Sequence, residues 1–172
     1  MKALLVYESM FGNTEQVACA IAHGLSTHVT TDTLLVRRAS AEVASDYDLI
    51  VVGGPTHAFS MSRPSTREEA QRQGARPADA KEGQGIREWR AALPMHVYAG
   101  LAAAFDTRVA KVRHLPGSAA KKADKVLHQH GLSHLAHPES FYVKDTNGPL
   151  LEGELGCELL NRVATTSSDN ES

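Results

Sequence analysis

The sequence predicts an α/β fold: a five-stranded parallel sheet in the order 2-1-3-4-5, with helices on both faces, making a three-layer sandwich. Three observations point there. The apolar runs Ala3-Leu4-Leu5-Val6 and Leu49-Ile50-Val51-Val52 do not alternate with polar residues. Such runs are strands buried on both faces, as in a parallel sheet. Between the strand patterns, apolar residues recur at helical spacing. The two patterns alternate about five times along the chain, which is the rhythm of repeated strand–helix–strand units.

Strand one is Lys2–Tyr7. Helix one runs from about Thr14 to Leu25, with Val17, Ile21 and Leu25 on one face and Ala18 and Ala22 beside them. Strand two covers about Val29–Val36, where Val29, Thr30, Thr31, Thr33 and Val36 are β-branched. A helical turn follows near Ala41–Ala44. Strand three is Leu49–Val52, closed by Gly53-Gly54-Pro55. The polar stretch Ala58–Gly85 contains Ser65-Thr66-Arg67-Glu68, a capping-box pattern that starts a short helix. Positions 74–85 are rich in Gly, Ala, Pro and charge and read as loop. A helical segment spans Ile86–Leu93, and strand four spans His96–Phe105. Helix four, Ser118–His130, turns Ala119, Ala120, Ala123, Val126 and Leu127 inward. Strand five lies within Leu132–Val143, with an interruption at Pro138. Helix five, Glu152–Val163, carries Leu155, Leu159, Leu160 and Val163 on one face.

The 172 residues suit one domain, at positions 1–164, followed by a polar, disordered tail at 165–172. The composition, 42% hydrophobic and 22% charged, is that of a chain with a full core. A net charge of −2 gives no field that would favour nucleic acid or an anionic membrane. No apolar stretch reaches the roughly 18–20 residues of a membrane span, and the N-terminus lacks a signal-peptide layout. These features predict a cytoplasmic protein. Cys19 and Cys157 both lie in helical patterns and read as free thiols acting as small buried hydrophobes.

In the predicted order, the loops Glu8–Thr14, Gly53–Phe59 and Asp106–Gly117 leave the carboxyl ends of strands one, three and four. All three open beside the switch point, where such sheets bind ligands. The first reads Ser9-Met10-Phe11-Gly12-Asn13-Thr14 between a strand and a helix. A tight turn there aims N–H groups and short hydroxyls at one point, and the helix N-terminus adds about half a positive charge. That is a phosphate cradle.

These segments resemble those of flavodoxins and related flavodoxin-like FMN-binding proteins, over Lys2 to about Ala164. In that family the first loop, Ser/Thr-x-x-Gly-Asn-Thr, wraps the FMN phosphate. Here Ser9, Asn13 and Thr14 match its polar positions and Gly12 its turn, with Met10 and Phe11 between them. Gly53-Gly54-Pro55-Thr56-His57 resembles the second loop. The resemblance implies that Thr56 reaches the phosphate or ribityl chain. It implies that Pro55, His57, Ala58 and Phe59 flank the flavin, with His57 at the inner stacking position. The segment from Asp106-Thr107-Arg108-Val109 to Gly117 matches the isoalloxazine loop. Phe11 stands where many members carry threonine, and the third loop has no Tyr or Trp. FMN is thus the cofactor implied, and electron transfer with a redox partner protein or a small-molecule electron acceptor is the role. Alternatives are a flavodoxin-fold quinone or porphyrinogen oxidoreductase and a cofactor-free interaction domain. No catalytic side chain is assigned.

Other motifs read as scaffold. Gly83-Gln84-Gly85 follows no strand and lacks a third glycine, so it is no dinucleotide fingerprint. The first loop has no Walker lysine. Glu8 alone does not make the carboxylate cluster of a phosphorylation receiver and reads as a loop charge or helix-terminus partner. His128 and His130 would lie about 200° apart on a helix, so His128, His130, His134 and His137 read as surface residues rather than a metal site. Arg63, Arg67, Arg72 and Arg76 read as a solvated face.

Overall fold

A computed structural model describes residues 1–57, 60–75, 84–94 and 100–156. The strands are β1 (Lys2–Tyr7), β2 (Thr30–Leu35), β3 (Leu49–His57), β4 (Ser60–Met61), β5 (Leu101–Val109), β6 (Ser133–His134) and β7 (Glu139–Val143). The helices are α1 (Asn13–Ser26), α2 (Pro64–Arg72), α3 (Ile86–Ala91) and α4 (Ala119–Gln129). The sheet runs β2-β1-β3-β5, and β6 and β7 share the far edge of β5. All of these pairs are parallel. Among the described strands, β4 folds back, antiparallel, on the end of β3.

The predicted order holds, with the fifth strand in two pieces. β6 pairs with Leu101 and Ala102, and β7 pairs with Phe105 through Val109. The gap contains Pro138, which has no N–H to give to a ladder.

Alternation along each strand divides the core in two. Leu4, Val6, Ile50, Val52, Ala102 and Ala104 pack against α3 and α4, with Trp89 fully buried among them. Ala3, Leu5, Val51, Ala103 and Phe105 face α1 through Val17, Ala18, Ile21 and Leu25. Each buried Leu or Ile stabilises the fold by about 1.5–3 kcal/mol. The alanines of β5 have low strand propensity, yet two of them, Ala102 and Ala104, share a core with Ala119, Ala120 and Ala123 of α4. Small residues on both sides let the helix lie close to the sheet.

Several boundaries differ from expectation. β3 does not close at its glycines. Gly53 pairs with Phe105, and a Cβ there would stand 2.0 Å from that ring, so this glycine serves packing, not a turn. Beyond Gly53, β3 keeps β5 as a ladder neighbour but has lost β1. Pro55 is tolerated in such one-sided strand. β5 likewise continues to Val109 because β7 supplies its partner, so Asp106, Thr107, Arg108 and Val109 are strand residues and not loop. The capping box uses different residues from those expected: the Thr66 hydroxyl accepts from the Arg63 N–H at 2.8 Å, and Pro64 opens α2. The turn expected at Ala41–Ala44 is a 3-10 segment, Glu42–Asp46. Cys19 is exposed on α1 and is not a buried hydrophobe. Ala58, Phe59, positions 76–83 with Arg76, the start of strand four, Cys157, helix five beyond the 3-10 turn Glu154–Gly156, and the tail lie outside the described residues.

Candidate functional site

The first loop is shaped from within. Gly12 takes the left-handed conformation (φ 89°) just before α1, which an L side chain adopts only with strain. The Ser9 hydroxyl accepts from the N–H groups of Gly12 (3.1 Å) and Glu15 (3.2 Å). Ser9 therefore fixes the turn and satisfies one of the open donors of α1. Asn13 and Thr14, both buried, form the first turn of that helix. Their N–H groups have no acceptor within it and stand at its positive end. Met10 and Phe11 pack against Ala70 of α2 and Ala75 just beyond it. Phe11 thus anchors the loop to α2 where a threonine would have offered a hydroxyl.

A cleft of about 400 Å³ opens beside this loop. Met10, Phe11, Asn13 and Thr14 form one wall; Pro55, Thr56 and His57 of β3 and Thr107, Arg108 and Val109 of β5 form the others. The hydroxyls of Thr14 and Thr107 are 2.7 Å apart and tie the loop to β5. Ser9, Gly12, Asp106 and Gly117, singled out in the sequence, do not line the cleft. Ser9 and Gly12 shape the loop. Gly117 (φ 98°) makes the turn into α4. Asp106 is fully buried behind the wall, where its Oδ2 accepts from Thr56 Oγ1 (2.8 Å), the Ala120 N–H (3.0 Å) and the Ser118 hydroxyl. Thr56 is therefore already engaged: its hydroxyl donates to Asp106 and accepts from the Ala119 N–H at 2.9 Å. These bonds hold the start of α4 against β3 and β5.

Lys111 and Val112, inside the segment that resembles the third loop, also line the cleft, as do Val143 and Thr146, which sequence reasoning misses. Val143 and Thr146 come from the end of β7 and the turn after it. The run Asp145-Thr146-Asn147-Gly148-Pro149 is a turn signal directly after a β-rich segment, so its place at a strand's carboxyl end could have been inferred. Gly148 (φ 98°) presses on the site, since a Cβ there would meet Asn13 Oδ1 at 2.4 Å.

Burial, helped by the charge of Arg67, holds the His57 imidazole below its ordinary pKa of 6.5. Its Nε2 is buried with no hydrogen-bond partner among the described residues. Arg108 is 7% exposed, and its Nη2 donates to the carbonyls of Val112 (2.9 Å) and Leu115 (3.1 Å). Its Nε is buried and unpartnered among the described residues. Lys111 is exposed and stands 3.6 Å from Asp145.

Glu8 is a helix-terminus partner: its buried carboxylate accepts from the Ile86 N–H, at the start of α3, at 3.0 Å and from the Ser62 hydroxyl. Arg67 donates to Ser62 Oγ at 3.0 Å and pairs with Glu88 at 3.2 Å. Arg67 is thus buried and not part of a solvated face, unlike Arg63 and Arg72. Desolvation raises the Glu8 pKa, with hydrogen bonds from Ser62 and Ile86 and the charge of Arg67 opposing. His128 and His134 stack with centroids 4.7 Å apart, and His134 bonds Asp124. No group of three or more metal-ligating side chains occurs among the described residues, and no helix among them is long and apolar enough to cross a membrane.

No protein-family model matches the chain, and no curated protein matches it in sequence. Solved structures do match. Oxidised flavodoxin 1 from Bacillus cereus has a TM-score of 0.70 at 15% identity, covering 100% of both chains. A flavodoxin from the domain Archaea has a TM-score of 0.65 at 17% identity, again covering 100% of both. The flavodoxin of Streptococcus pneumonia TIGR4 has a TM-score of 0.69 at 16% identity, covering 99% of both. The chain has the flavodoxin fold.

Proposed function

We propose that this chain binds FMN in the cleft between β1, β3 and β5 and acts in electron transfer. The observation that carries the reading is the Thr14–Thr107 contact, which closes the loop before α1 onto β5 in a cleft that His57 also lines, its buried Nε2 without a partner among the described residues. Similarity of fold to flavodoxins supports it.

The residues present fit the cofactor. The cleft volume lies in the range of small-molecule sites. Asn13 and Thr14 offer backbone N–H groups at a helix N-terminus in the cleft wall, which suits a phosphate. His57, Thr107 and Val109 line the part of the cleft left for the ring. The buried His57 Nε2, unpartnered among the described residues, is a polar atom that a ligand can satisfy. When bound, FMN supplies one- or two-electron redox chemistry. The protein contributes binding, orientation and exclusion of water, and no side chain is asked to act as acid or base.

Within this reading, a carrier that meets a redox partner protein or a small-molecule acceptor in the cytoplasm fits better than an enzyme. Among the described residues 60–75, none lines the cleft, and Ala70 and Ala75 pack behind the first loop. The test is titration of the purified apoprotein with FMN, followed by flavin fluorescence and equilibrium dialysis. The expected result is quenching that saturates at one FMN per chain. Absence of uptake by both methods would refute the reading. Turnover of a quinone with NADPH by the isolated flavoprotein would move the role from carrier to enzyme.

A further inference from the structure

Arg108 is the feature that the FMN reading does not require. It is nearly fully buried, it lines the cleft, and its Nε has no partner among the described residues. Two backbone carbonyls, of Val112 and Leu115, take its Nη2 hydrogens. No carboxylate among the described residues pairs with it. Asp106 is two positions back on the same face of β5, but its bonded oxygen is turned to Thr56, Ser118 and Ala120. Asp145 is drawn to Lys111 at the rim. A buried charge is costly unless paired. Among the described residues its hydrogen bonds go to carbonyl oxygens, and the residue borders the space where a ligand would sit.

Resting on the FMN reading, we propose that Arg108 biases the cleft toward the reduced cofactor. The oxidised ring takes up two electrons and one proton and then carries one more negative charge than before. A fixed cation in the cleft wall attracts that added charge and leaves the neutral oxidised ring almost unaffected. The reduced state is therefore held more tightly than it would be in a neutral wall, and the midpoint potential rises. Lys111 adds little, because it is exposed, paired and screened.

The experiment compares wild type, Arg108→Gln and Arg108→Lys, each loaded with FMN. Two quantities are read: the Kd of oxidised FMN, and the two-electron midpoint potential by equilibrium titration with dithionite and a reference dye. Arg108→Gln should lower the reduced-to-oxidised affinity ratio about tenfold, a downward shift of about 30 mV for a two-electron couple. The Kd of oxidised FMN should change much less. Arg108→Lys keeps the charge but not the fork, and should keep most of the potential. A purely structural role would move the Kd in both variants and leave the potential alone, which would overturn the proposal. If Arg108→Gln does not fold, Arg108→Met takes its place. If neither folds, the wild type decides: a midpoint at or above that of free FMN supports the proposal, and one below it overturns it. Failure of the wild type to take up FMN would refute the cofactor reading itself, a different result from uptake with an unmoved potential.

Discussion

The hydroxyls of Thr14 and Thr107 lie 2.7 Å apart across 93 positions of sequence, both buried. Their contact makes the first turn of α1 and the carboxyl end of β5 one structure. Thr14→Val strands the Thr107 hydroxyl and should cost about 1–3 kcal/mol of stability. The pair of substitutions, Thr14→Val with Thr107→Val, should cost less than the sum of the singles, with a coupling of about 1 kcal/mol. Urea unfolding of the four proteins measures this cycle. Strict additivity would mean that the hydroxyls do not depend on each other.

Glu8 makes stability fall as pH rises. Burial lifts its folded-state pKa above the ordinary 4.5. Between those two values the folded protein holds a proton that the unfolded chain has released, so unfolding becomes easier with increasing pH. The contribution is complete below about 4.5 and is lost as pH passes the folded value. Glu8→Gln keeps an acceptor for the Ile86 N–H and should flatten this limb. Urea midpoints measured from about pH 5 to 8 decide it; equal slopes in the two proteins would count against the assignment.

His57 acts at the same end of the scale with the opposite sign. Burial first, and Arg67 second, depress its pKa below 6.5. As pH falls through 6.5 the unfolded chain takes up a proton before the folded one, and stability drops through the lower folded value. His57→Phe should remove this loss. Thermal melts of the two proteins between about pH 7 and 5 should diverge in that direction.

Two glycines with positive φ separate backbone strain from collision. A Cβ added at Gly74 (φ 90°) would have no atom within 4 Å, whereas one at Gly148 (φ 98°) would meet Asn13 Oδ1 at 2.4 Å. Gly74→Ala should cost about 1–2 kcal/mol through conformation alone. Gly148→Ala should cost more and should also weaken FMN uptake, because it displaces Asn13. Calorimetry with an FMN titration of each variant tests both halves, and equal uptake by the two would remove Gly148 from the site.

The sheet was legible because burial on two faces writes itself as unbroken apolar runs, in Ala3–Val6 and Leu49–Val52. The first loop was legible because a turn glycine and a helix start fall side by side at Gly12 and Asn13. The ends of β3 and β5 were not. Gly53 reads as a turn when it is a glycine cleared for the ring of Phe105, a contact between residues far apart in sequence. Asp106 reads as a loop residue with access to ligand, yet it is fully buried and its Oδ2 is taken by Thr56, Ser118 and Ala120. Arg67 reads as a surface charge because nothing local announces Glu88 and Ser62 as its partners. In each case the missing information is a pairing across the fold, and only the neighbour on the partner strand or helix supplies it.

Met10 and Phe11 tie the cradle loop to α2 through Ala70 and Ala75. Any ligand that steadies that loop must therefore steady the helix behind it, and by reciprocity whatever loosens the helix must weaken the ligand's hold. The amide protons of α2, remote from the cleft, should then exchange with solvent more slowly once the cleft is filled. A surface helix in this chain works as a gauge of occupancy.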